Sequence, residues 1–497
     1  MLTFTIAFVG YTLLVIVVGL LTSRRASESD EEYFLAGRSL GPWVGALSAS
    51  ASSESGWVTI GLVGWAFQSG VSAFWILPGV FFGFLVNWFV IASRLRTAGA
   101  AVGAVTLPDF LSRHFGERLP IIRLISVLVI LTAMMLYCAA QFAAAGKAFD
   151  VTFESISYQG GVLIGAAIVL FYVTLGGFRA ACWTDLLQGL LMVGVLVIFP
   201  LWMLSNGPSL DQVRANLGQA DPQLLSFWPN LTGSALIGFL LGSGALGINF
   251  GYFGQPHVLV RFLALRKAKD ATAGGVISIA WAMLVLAGAV TTGILVRSFA
   301  EGGEAWAATL SHAGDGEYAL VAAAINLAPA VFGGLILAAI FAAICSTADS
   351  QLVVASSAVA NDVWSRLWSS SQRRHTLVNR ITVAILGIAA VALVLDRQVT
   401  IYDYVLTYGW AILGASFGPQ ILLALFWRRA TAAGCVAGLS TGFVVALLWK
   451  MQMDNVVTIG GRRIEVYNLP LAFMAALGMN ILVSYFSRPP ASRMISV

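Results

Sequence analysis

The sequence carries little charge. Asp, Glu, Lys and Arg make up 10% of its 497 residues, whereas 59% of the residues are hydrophobic. Ordinary soluble domains carry about 25% charged residues, and one soluble core of this size could not enclose so much apolar surface. A soluble protein with a single core is therefore excluded.

Cysteine and histidine are also scarce, with 4 residues of each. The cysteines lack metal-ligand spacing and fall within or at the ends of long apolar runs, which is typical of small packing residues. The histidines are scattered, mainly at loops, and the sequence has no His-Glu-x-x-His, Gly-x-Ser-x-Gly or phosphate-binding glycine loop. These absences argue against an enzyme. The residues concerned are Cys138, Cys182, Cys345, Cys435, His114, His257, His312 and His375.

Long apolar runs, by contrast, recur from end to end. Each is long enough to cross about 30 Å of hydrocarbon, so the sequence predicts an all-α polytopic membrane protein with about 13 transmembrane helices. We expect the first run to be a retained span, because no basic segment precedes it as in a signal peptide. The predicted spans are 3–22, 41–67, 73–95, 121–147, 158–178, 183–204, 233–262, 272–297, 329–359, 377–395, 401–426, 432–449 and 467–486.

Lysine and arginine give these spans an orientation. Of the 28 basic residues, 21 fall in the loops after the odd-numbered spans, and we count Arg261 among them. Since cytoplasmic loops carry the basic excess, we expect a multi-pass protein of the cell (inner) membrane with its N-terminus outside and its C-terminus in the cytoplasm. The net charge of +5 then reflects topology rather than nucleic-acid binding.

Two spans have the composition of interrupted helices. Residues 48–57 of span 2 are almost all small or hydroxylated, and span 7 combines several glycines with Pro256, which lacks a backbone donor. Close packing through small residues is the alternative interpretation. These spans open two groups of five that run in opposite directions, and such a pattern is typical of inverted repeats around a transporter's central site.

The predicted organisation has no soluble domain. An inner loop at 96–120 contains Pro108 and Asp109, which suit the start of a short interfacial helix. The predicted segments are the first helix and inner loop at 1–40, repeat 1 (spans 2–6) at 41–204, an outer loop at 205–232, repeat 2 (spans 7–11) at 233–426, and spans 12–13 with a short inner tail at 427–497.

Span 9 carries a set of oxygen ligands. Ser346, Asp349 and Ser350 share one helical face, and Thr347 lies beside it. Hydroxyl and carboxylate oxygens suit a small hard cation. Alternatively, the hydroxyls bond to their own helix and Asp349 lies in a watery end.

Two further acids fall within predicted spans. Glu54 lies in the middle of span 2, and Asp185 lies near the inner start of span 6. A charge at mid-bilayer costs about 2.5–3.5 kcal/mol on insertion scales, so both are functional candidates. Asp185 could instead be a helix-entry residue at the interface.

Several short sequence motifs, spread in order over nearly the whole chain, resemble those of the sodium:solute symporter family. Within this family they are most similar to the bacterial branch that carries proline. The resemblance implies LeuT-like inverted five-helix repeats, thirteen spans, Na+ as the coupling ion and a functional monomer in the bilayer. The strings are Gly37-Arg38-Ser39-Leu40-Gly41-Pro42, Ala46-Leu47-Ser48-Ala49, Ser55-Gly56-Trp57, Leu107-Pro108-Asp109, Tyr137-Cys138-Ala139, Trp183-Thr184-Asp185, Gly251-Tyr252-Phe253-Gly254-Gln255-Pro256-His257 and Ser346-Thr347.

The resemblance also implies roles for individual residues. The sodium site maps to Ala51, the Glu54 backbone carbonyl, Ala343, Ser346 and Thr347. The substrate pocket maps to Ser55, Gly56, Trp57, Tyr137, Tyr252 and Pro256. A second cation site, present in some relatives, maps to Asp185, Ser346, Asp349 and Ser350. Arg38 matches an arginine tied to coupling.

Two departures from the proline branch affect the substrate pocket. Where that branch reads Ser-Asp-Met-Ser-Gly-Trp, this chain reads from Ser52 to Trp57 with Glu54 at the methionine position, so the acid is displaced by one residue. Where it places a tryptophan four residues before Tyr252, this chain has Ile248, which removes a large amphipathic wall.

The leading hypothesis is a sodium-coupled secondary symporter that imports a small amino acid, with proline as the first candidate. One alternative is a symporter of another carboxylate or one coupled to protons through Glu54 or Asp349. Another is a membrane solute sensor without net transport. A channel is disfavoured, because broken helices in inverted repeats indicate a site that can be occluded.

Overall fold

The computed structural model describes residues 1–22, 29–117, 120–228, 236, 240–307, 310, 316–365, 372–396, 399–459 and 462–488. This part of the chain is nearly all helical. The α-helices are α1 Leu2–Thr22, α2 Asp30–Leu35, α3 Pro42–Ser53, α4 Val63–Ser69, α5 Ile76–Leu85, α6 Ser93–Ala101, α7 Leu107–His114, α8 Ile121–Thr152, α9 Tyr158–Asn206, α10 Leu210–Ala220, α11 Asn249–Tyr252, α12 Pro256–Leu263, α13 Asp270–Glu301, α14 Ala319–Leu327, α15 Ala330–Ser357, α16 Gln372–Val394, α17 Ile401–Tyr404, α18 Ala411–Phe426, α19 Ala432–Met453 and α20 Asn468–Phe486.

Shorter elements join or extend these helices. Four π-helical segments are Trp57–Leu62, Val86–Ala92, Ala358–Trp364 and Val405–Trp410. Five 3₁₀ turns are Ala36–Arg38, Gly70–Trp75, Pro222–Leu225, Leu246–Ile248 and Gly316–Tyr318. One antiparallel hairpin, β1 Val456–Ile459 and β2 Arg462–Glu465, is a small β element that the sequence analysis did not predict.

The described helices suit a bilayer. Ten of them are long and apolar enough to cross a membrane by length and composition. Predicted spans 2 and 7 consist of shorter pieces, and Tyr158–Phe171 of predicted span 5 is a shorter apolar helix. Large apolar side chains such as Leu2, Ile388 and Phe486 are exposed on the outer surface. The start of predicted span 7, at 233–235 and 237–239, lies outside the described residues.

Predicted spans 5 and 6 correspond to two helices within α9 that meet at Gly177. The chain turns sharply there, with a φ of 66° and a ψ of −178° that are open to glycine. The predicted outer loop at 205–232 is likewise partly helical, because α10 begins with a capping box formed by Ser209 and Gln212.

The helix α3 ends in mid-span, as the sequence predicts. It starts with Pro42 at a position that needs no backbone donor, and it ends at Ser53 because Glu54 takes non-helical angles of φ −95° and ψ 73°. The chain then resumes as the π-helical segment at Trp57.

A matching break divides α11 from α12. Gln255 is extended, and Pro256 begins α12, where its missing N–H breaks no helical bond. Together the two breaks place non-helical backbone in the interior of the protein, where Glu54 and Gln255 are both fully buried.

The chain next to α3 is bonded to the end of α12. Leu40 and Leu265 form a parallel β-bridge. The Leu40 amide donates to the Ala264 carbonyl at 3.2 Å, and the Arg266 amide donates to the Leu40 carbonyl at 2.9 Å. The two broken helices are therefore clasped to each other at one end.

Candidate sodium and substrate site

The broken end of α3 lies directly against α15. The Ser346 hydroxyl donates to the Ala51 carbonyl at 2.9 Å and lies 3.2 Å from the Ala343 carbonyl. The Thr347 hydroxyl donates to the Ser52 carbonyl at 3.1 Å. Residues 295 positions apart in the sequence thus meet through oxygen atoms.

Oxygen atoms from two helices meet at Ser346. Its single hydroxyl proton is directed at the carbonyl of Ala51, which lies in the last turn of α3, and its oxygen also lies near the carbonyl of Ala343 within α15. All three residues are fully buried. A small hard cation would satisfy all three oxygens at once.

The side chain of Glu54 points to the opposite broken helix. Its Oε1 atom accepts a hydrogen bond from the Tyr252 hydroxyl at 2.6 Å. Ser53 is 3.5 Å from the same oxygen, while Oε2 has no hydrogen-bond partner among the described residues. Glu54 is completely buried, so its side chain lies against Tyr252 in the protein interior.

Aromatic rings surround this carboxyl group. The ring of Tyr252 meets that of Trp410 edge to face, with centroids 4.6 Å apart, and lies 5.0 Å from Phe84. The Trp410 indole donates to the Ile248 carbonyl at 3.0 Å. An indole therefore does stand beside Ile248, although it comes from the π-helical segment Val405–Trp410, which the sequence analysis missed.

Glycine is required where this indole passes the second break. A Cβ atom built on Gly251 would lie 1.8 Å from Nε1 of Trp410. Gly251 thereby lets the α11 backbone approach Trp410, and its carbonyl accepts from Gln255 at 3.1 Å.

The first break is capped by a side chain that the sequence analysis also missed. The Gly56 amide donates to Gln141 Oε1 at 3.0 Å, and Gln141 Nε2 donates to the Ser55 hydroxyl at 3.3 Å. Trp57 donates its amide to the same hydroxyl at 3.2 Å. Gln141 thereby satisfies the Gly56 amide at the break.

Tyr137 lies beside Ser55 and beside His257, the residue that follows Pro256. The Tyr137 hydroxyl is 3.5 Å from that of Ser55, and its ring meets His257 edge to face at 6.0 Å. His257, which follows Pro256, is fully buried rather than at a loop. Its ring nitrogens have no hydrogen-bond partner among the described residues.

Asp185 is buried in the helix bundle, so the interpretation as an interfacial helix-entry residue is wrong. Its Oδ2 atom accepts from the Ser48 hydroxyl at 2.6 Å and from Arg261 Nη2 at 3.0 Å. Arg261 is fully buried too, which corrects its assignment to a cytoplasmic loop. Its guanidinium stacks 5.1 Å above the Phe178 ring.

The predicted second cation site contains this guanidinium. Arg261 Nη2 donates to the Ser350 hydroxyl at 2.5 Å, and Ser350 donates to Asp349 Oδ1 at 2.9 Å. Asp349 is 1% exposed, so it does not lie in a watery end. A permanent positive charge therefore already lies between Asp185 and Ser350.

Arg38 links the ends of three segments. Its guanidinium donates to the Leu263 carbonyl at 3.0 Å and to the Ala104 carbonyl at 2.7 Å, and its Nε donates to Glu31 at 2.7 Å. It thus ties the entrance of α3 to the end of α12 and to the loop before α7, beside the clasp formed by Leu40 and Leu265.

Helix α7 forms where the sequence predicts it, but it is buried rather than interfacial. It begins at Leu107, and the Thr106 hydroxyl caps it by accepting from the Asp109 amide. Asp109 and Asp362 both bind Arg123 at 2.6 Å. This buried ion-pair network fixes α7 to the start of α8 and to the end of the segment that follows α15.

The described part of the chain contains no metal site built from His, Cys, Asp or Glu side chains. Within it, no three His, Cys, Asp or Glu side chains are grouped to hold a metal ion. All four cysteines lie in this part and are buried without a disulfide. The oxygen-rich contact between α3 and α15 therefore remains the candidate ion site.

Solved structures resemble this fold over nearly the whole chain. A Na+-coupled sialic acid symporter in a substrate-bound outward-open state matches with a TM-score of 0.79 and 18% identity, over 100% of this chain and 99% of the other. MhsT in complex with L-phenylalanine matches with a TM-score of 0.53 and 14% identity, over 89% and 98%. These likenesses confirm the predicted LeuT-like, helical membrane fold.

Sequence relatives are similar over an equally long stretch. The sodium/proline symporter of Salmonella typhimurium is 34% identical over 98% of this chain and 97% of the relative. That of Escherichia coli is 34% identical over 90% and 87%. The profile of the sodium:solute symporter family matches residues 33–442. This chain belongs to the sodium:solute symporter family.

Proposed function

We propose that this protein uses the sodium gradient to import a small amino acid, with proline as the first candidate. Its family makes it a membrane transporter with Na+ as the coupling ion. The observation that carries the proposal is the buried contact in which the Ser346 hydroxyl faces the Ala51 and Ala343 carbonyls.

Sodium binding at this contact would couple the two helices. In the proposal, Na+ is held by the carbonyls of Ala51, Glu54 and Ala343 and by the hydroxyls of Ser346 and Thr347. Na+ would draw the broken end of α3 to α15, because it would bind oxygen atoms from both helices at once. A filled sodium site would thereby hold the pocket that begins at Ser55 in shape for substrate.

Proline is proposed from the relatives and from the pocket. Two sodium/proline symporters are 34% identical to this chain over most of its length. Ser55, Gly56, Trp57, Tyr137, Tyr252 and Pro256 form the proposed pocket. Trp410 supplies an indole next to Ile248, so the departure at that position does not remove the aromatic wall.

A second cation site is the weaker part of the proposal. Its residues are Asp185, Ser346, Asp349 and Ser350, but Arg261 already donates to Asp185 and Ser350. Because the guanidinium neutralises the carboxylate, coupling to a single Na+ at the α3–α15 contact is favoured.

In the proposal, the two repeats at 41–204 and 233–426 rock against each other during transport. Arg38 couples the movements of the broken helices. The carboxyl terminus is proposed to face the cytoplasm, where substrate and Na+ leave.

Uptake by purified protein in proteoliposomes tests the proposal. Labelled proline should accumulate with an inward Na+ gradient, and collapse of that gradient should stop accumulation. A panel of unlabelled amino acids should identify competitors. Sodium-driven uptake of another solute without competition by proline would replace proline as the substrate, and uptake driven by a pH gradient in sodium-free vesicles would contradict sodium coupling.

A further inference from the structure

The acid at position 54 has a carboxyl oxygen without a partner. Glu54 is fully buried, and its Oε1 atom accepts from Tyr252 at 2.6 Å. Its Oε2 atom has no hydrogen-bond partner among the described residues. The hydrogen-bond donors to the carboxyl group, Tyr252 and Ser53, are both neutral hydroxyls.

This arrangement lacks a positive charge. A buried carboxylate is costly unless it is paired and hydrogen-bonded, and Asp185 shows how this protein meets that need, through the guanidinium of Arg261. Two neutral hydroxyls on one oxygen do not replace a cation. The second oxygen of Glu54 is therefore placed for a ligand that brings both a charge and an N–H donor.

The walls of the pocket favour the same kind of ligand. Tyr252, which binds Glu54, packs against Trp410 and Phe84. Aromatic faces attract organic cations, and a carboxylate next to them can accept a directed hydrogen bond from an N–H group of such a cation. The amides near the break, by contrast, are occupied, because Gln141 accepts from Gly56 at 3.0 Å.

We propose that the Glu54 carboxylate binds the protonated amine of the transported substrate, so that this site requires a cationic nitrogen bearing hydrogen. The proposal rests on the proposed function in one respect, that the pocket around Tyr252 is the substrate site. It assigns Glu54 two separate roles, since its backbone carbonyl is one of the proposed sodium ligands and its side chain selects the substrate.

Na+ is the other cation that could meet this carboxylate. The hydroxyls proposed for sodium, those of Ser346 and Thr347, bond instead to backbone carbonyls of Ala51 and Ser52. The Glu54 side chain bonds to Tyr252 on α11. The Glu54 side chain and these two hydroxyls thus have different bonding partners, and binding of matched ligands distinguishes Na+ from an amine at Glu54.

Matched ligands with and without an amine provide the test. Purified protein in detergent with saturating Na+ is titrated with proline and with cyclopentanecarboxylate, in which a methylene replaces the amine, and with alanine against propionate. Ligand-dependent thermal stabilisation gives the apparent affinity of each. In the wild type, we expect each amine to bind at least about 30-fold more tightly than its amine-free analogue, because it forms a buried charge pair with the protein.

Glu54→Gln keeps the shape and removes the charge. We expect it to weaken amine binding at least about 30-fold while the carboxylate analogues change less than about threefold, so the preference for the amine is lost. Glu54→Asp should retain part of that preference. The matched control is Glu304→Gln, the same change at an exposed position, which should leave both affinities unaltered.

Several results would overturn the proposal. These are an unchanged preference for the amine in Glu54→Gln, equally tight binding of an amine-free analogue to the wild type, no stabilisation by any amine, or a raised sodium requirement in Glu54→Gln with the preference intact. Failure of proline alone, with another amine bound through Glu54, would instead remove proline as the proposed substrate and leave this inference standing.

Discussion

Arg261 donates a hydrogen bond to Asp185 at 3.0 Å, and neither side chain is exposed to solvent. The pair joins α12, which follows one helix break, to the long helix α9. It also contacts Ser48 of α3 through Nε of the arginine at 3.0 Å. The Arg261 guanidinium on α12 thus bonds to side chains of α9 and α3. The ion pair therefore links three helices and carries no net charge.

Breaking this pair from one side should be more harmful than removing it altogether. Asp185→Asn or Arg261→Gln leaves one buried charge without compensation and should each lower the free energy of unfolding by about 3–5 kcal/mol. The double variant should lose less than either single variant, because no buried charge is then left without compensation. Chemical unfolding in detergent measures all four proteins, and strictly additive losses would show that the two side chains do not interact.

The hydroxyls of α15 should set the sodium requirement. Ser346→Ala with Thr347→Ala removes two of the proposed ligands and should raise the Na+ concentration for half-maximal uptake by at least about tenfold, because each lost charge-assisted contact is worth about 1.5–3 kcal/mol. Uptake at graded Na+ measures this. Ser365→Ala, which alters a hydroxyl bonded to its own helix through the Asn361 carbonyl, should have no such effect, and an unchanged requirement in the double variant would remove the assignment.

Arg38 should not be replaceable by lysine. Its planar guanidinium reaches the carbonyls of Leu263 and Ala104 together, whereas an ammonium group is a point charge on a flexible chain. Arg38→Lys should slow maximal uptake about tenfold while substrate affinity changes little, since loss of one such bond is worth about 1.5 kcal/mol. Arg214→Lys, at an exposed position, is the control. Equal rates in both variants would argue against a coupling role.

Gly251→Ala should be strongly destabilising. The new Cβ would lie 1.8 Å from the Trp410 indole nitrogen, so α11 or Trp410 must move and the bond to Ile248 must be disturbed. We expect a loss of about 1–3 kcal/mol, as for other overpacked cores, seen as a lower melting temperature. Gly10→Ala meets nothing within 4 Å and should be neutral or slightly stabilising. Equal melting temperatures for the two variants would contradict the close approach.

The broken helices and the close contact of the α15 hydroxyls with α3 could be predicted from the sequence because their signals are local. Pro256 marks the start of α12, and Ser346 and Thr347 stand together on one helix. Gln141 and Trp410 could not be found in this way, since each becomes significant only through a partner in a distant span. Gln141 meets Gly56 across 85 positions, and Trp410 meets Ile248 across 162.

Arg261 was misplaced for a related reason. It lies at the end of an apolar run, where hydropathy places a cationic side chain at the membrane surface. Only the fold brings Asp185 within reach, 76 positions away, and thereby allows the charge to be buried.

The clasp between Leu40 and Leu265 has a mechanical consequence. The ends of α3 and α12 share two backbone hydrogen bonds, which join neighbouring segments at a fixed spacing whatever the side chains do. The entrance of α3 and the end of α12 must therefore stay together as a common pivot while the rest of each helix tilts. Labels placed at this pivot should keep their separation during transport, whereas labels at the far ends of the two helices should change theirs.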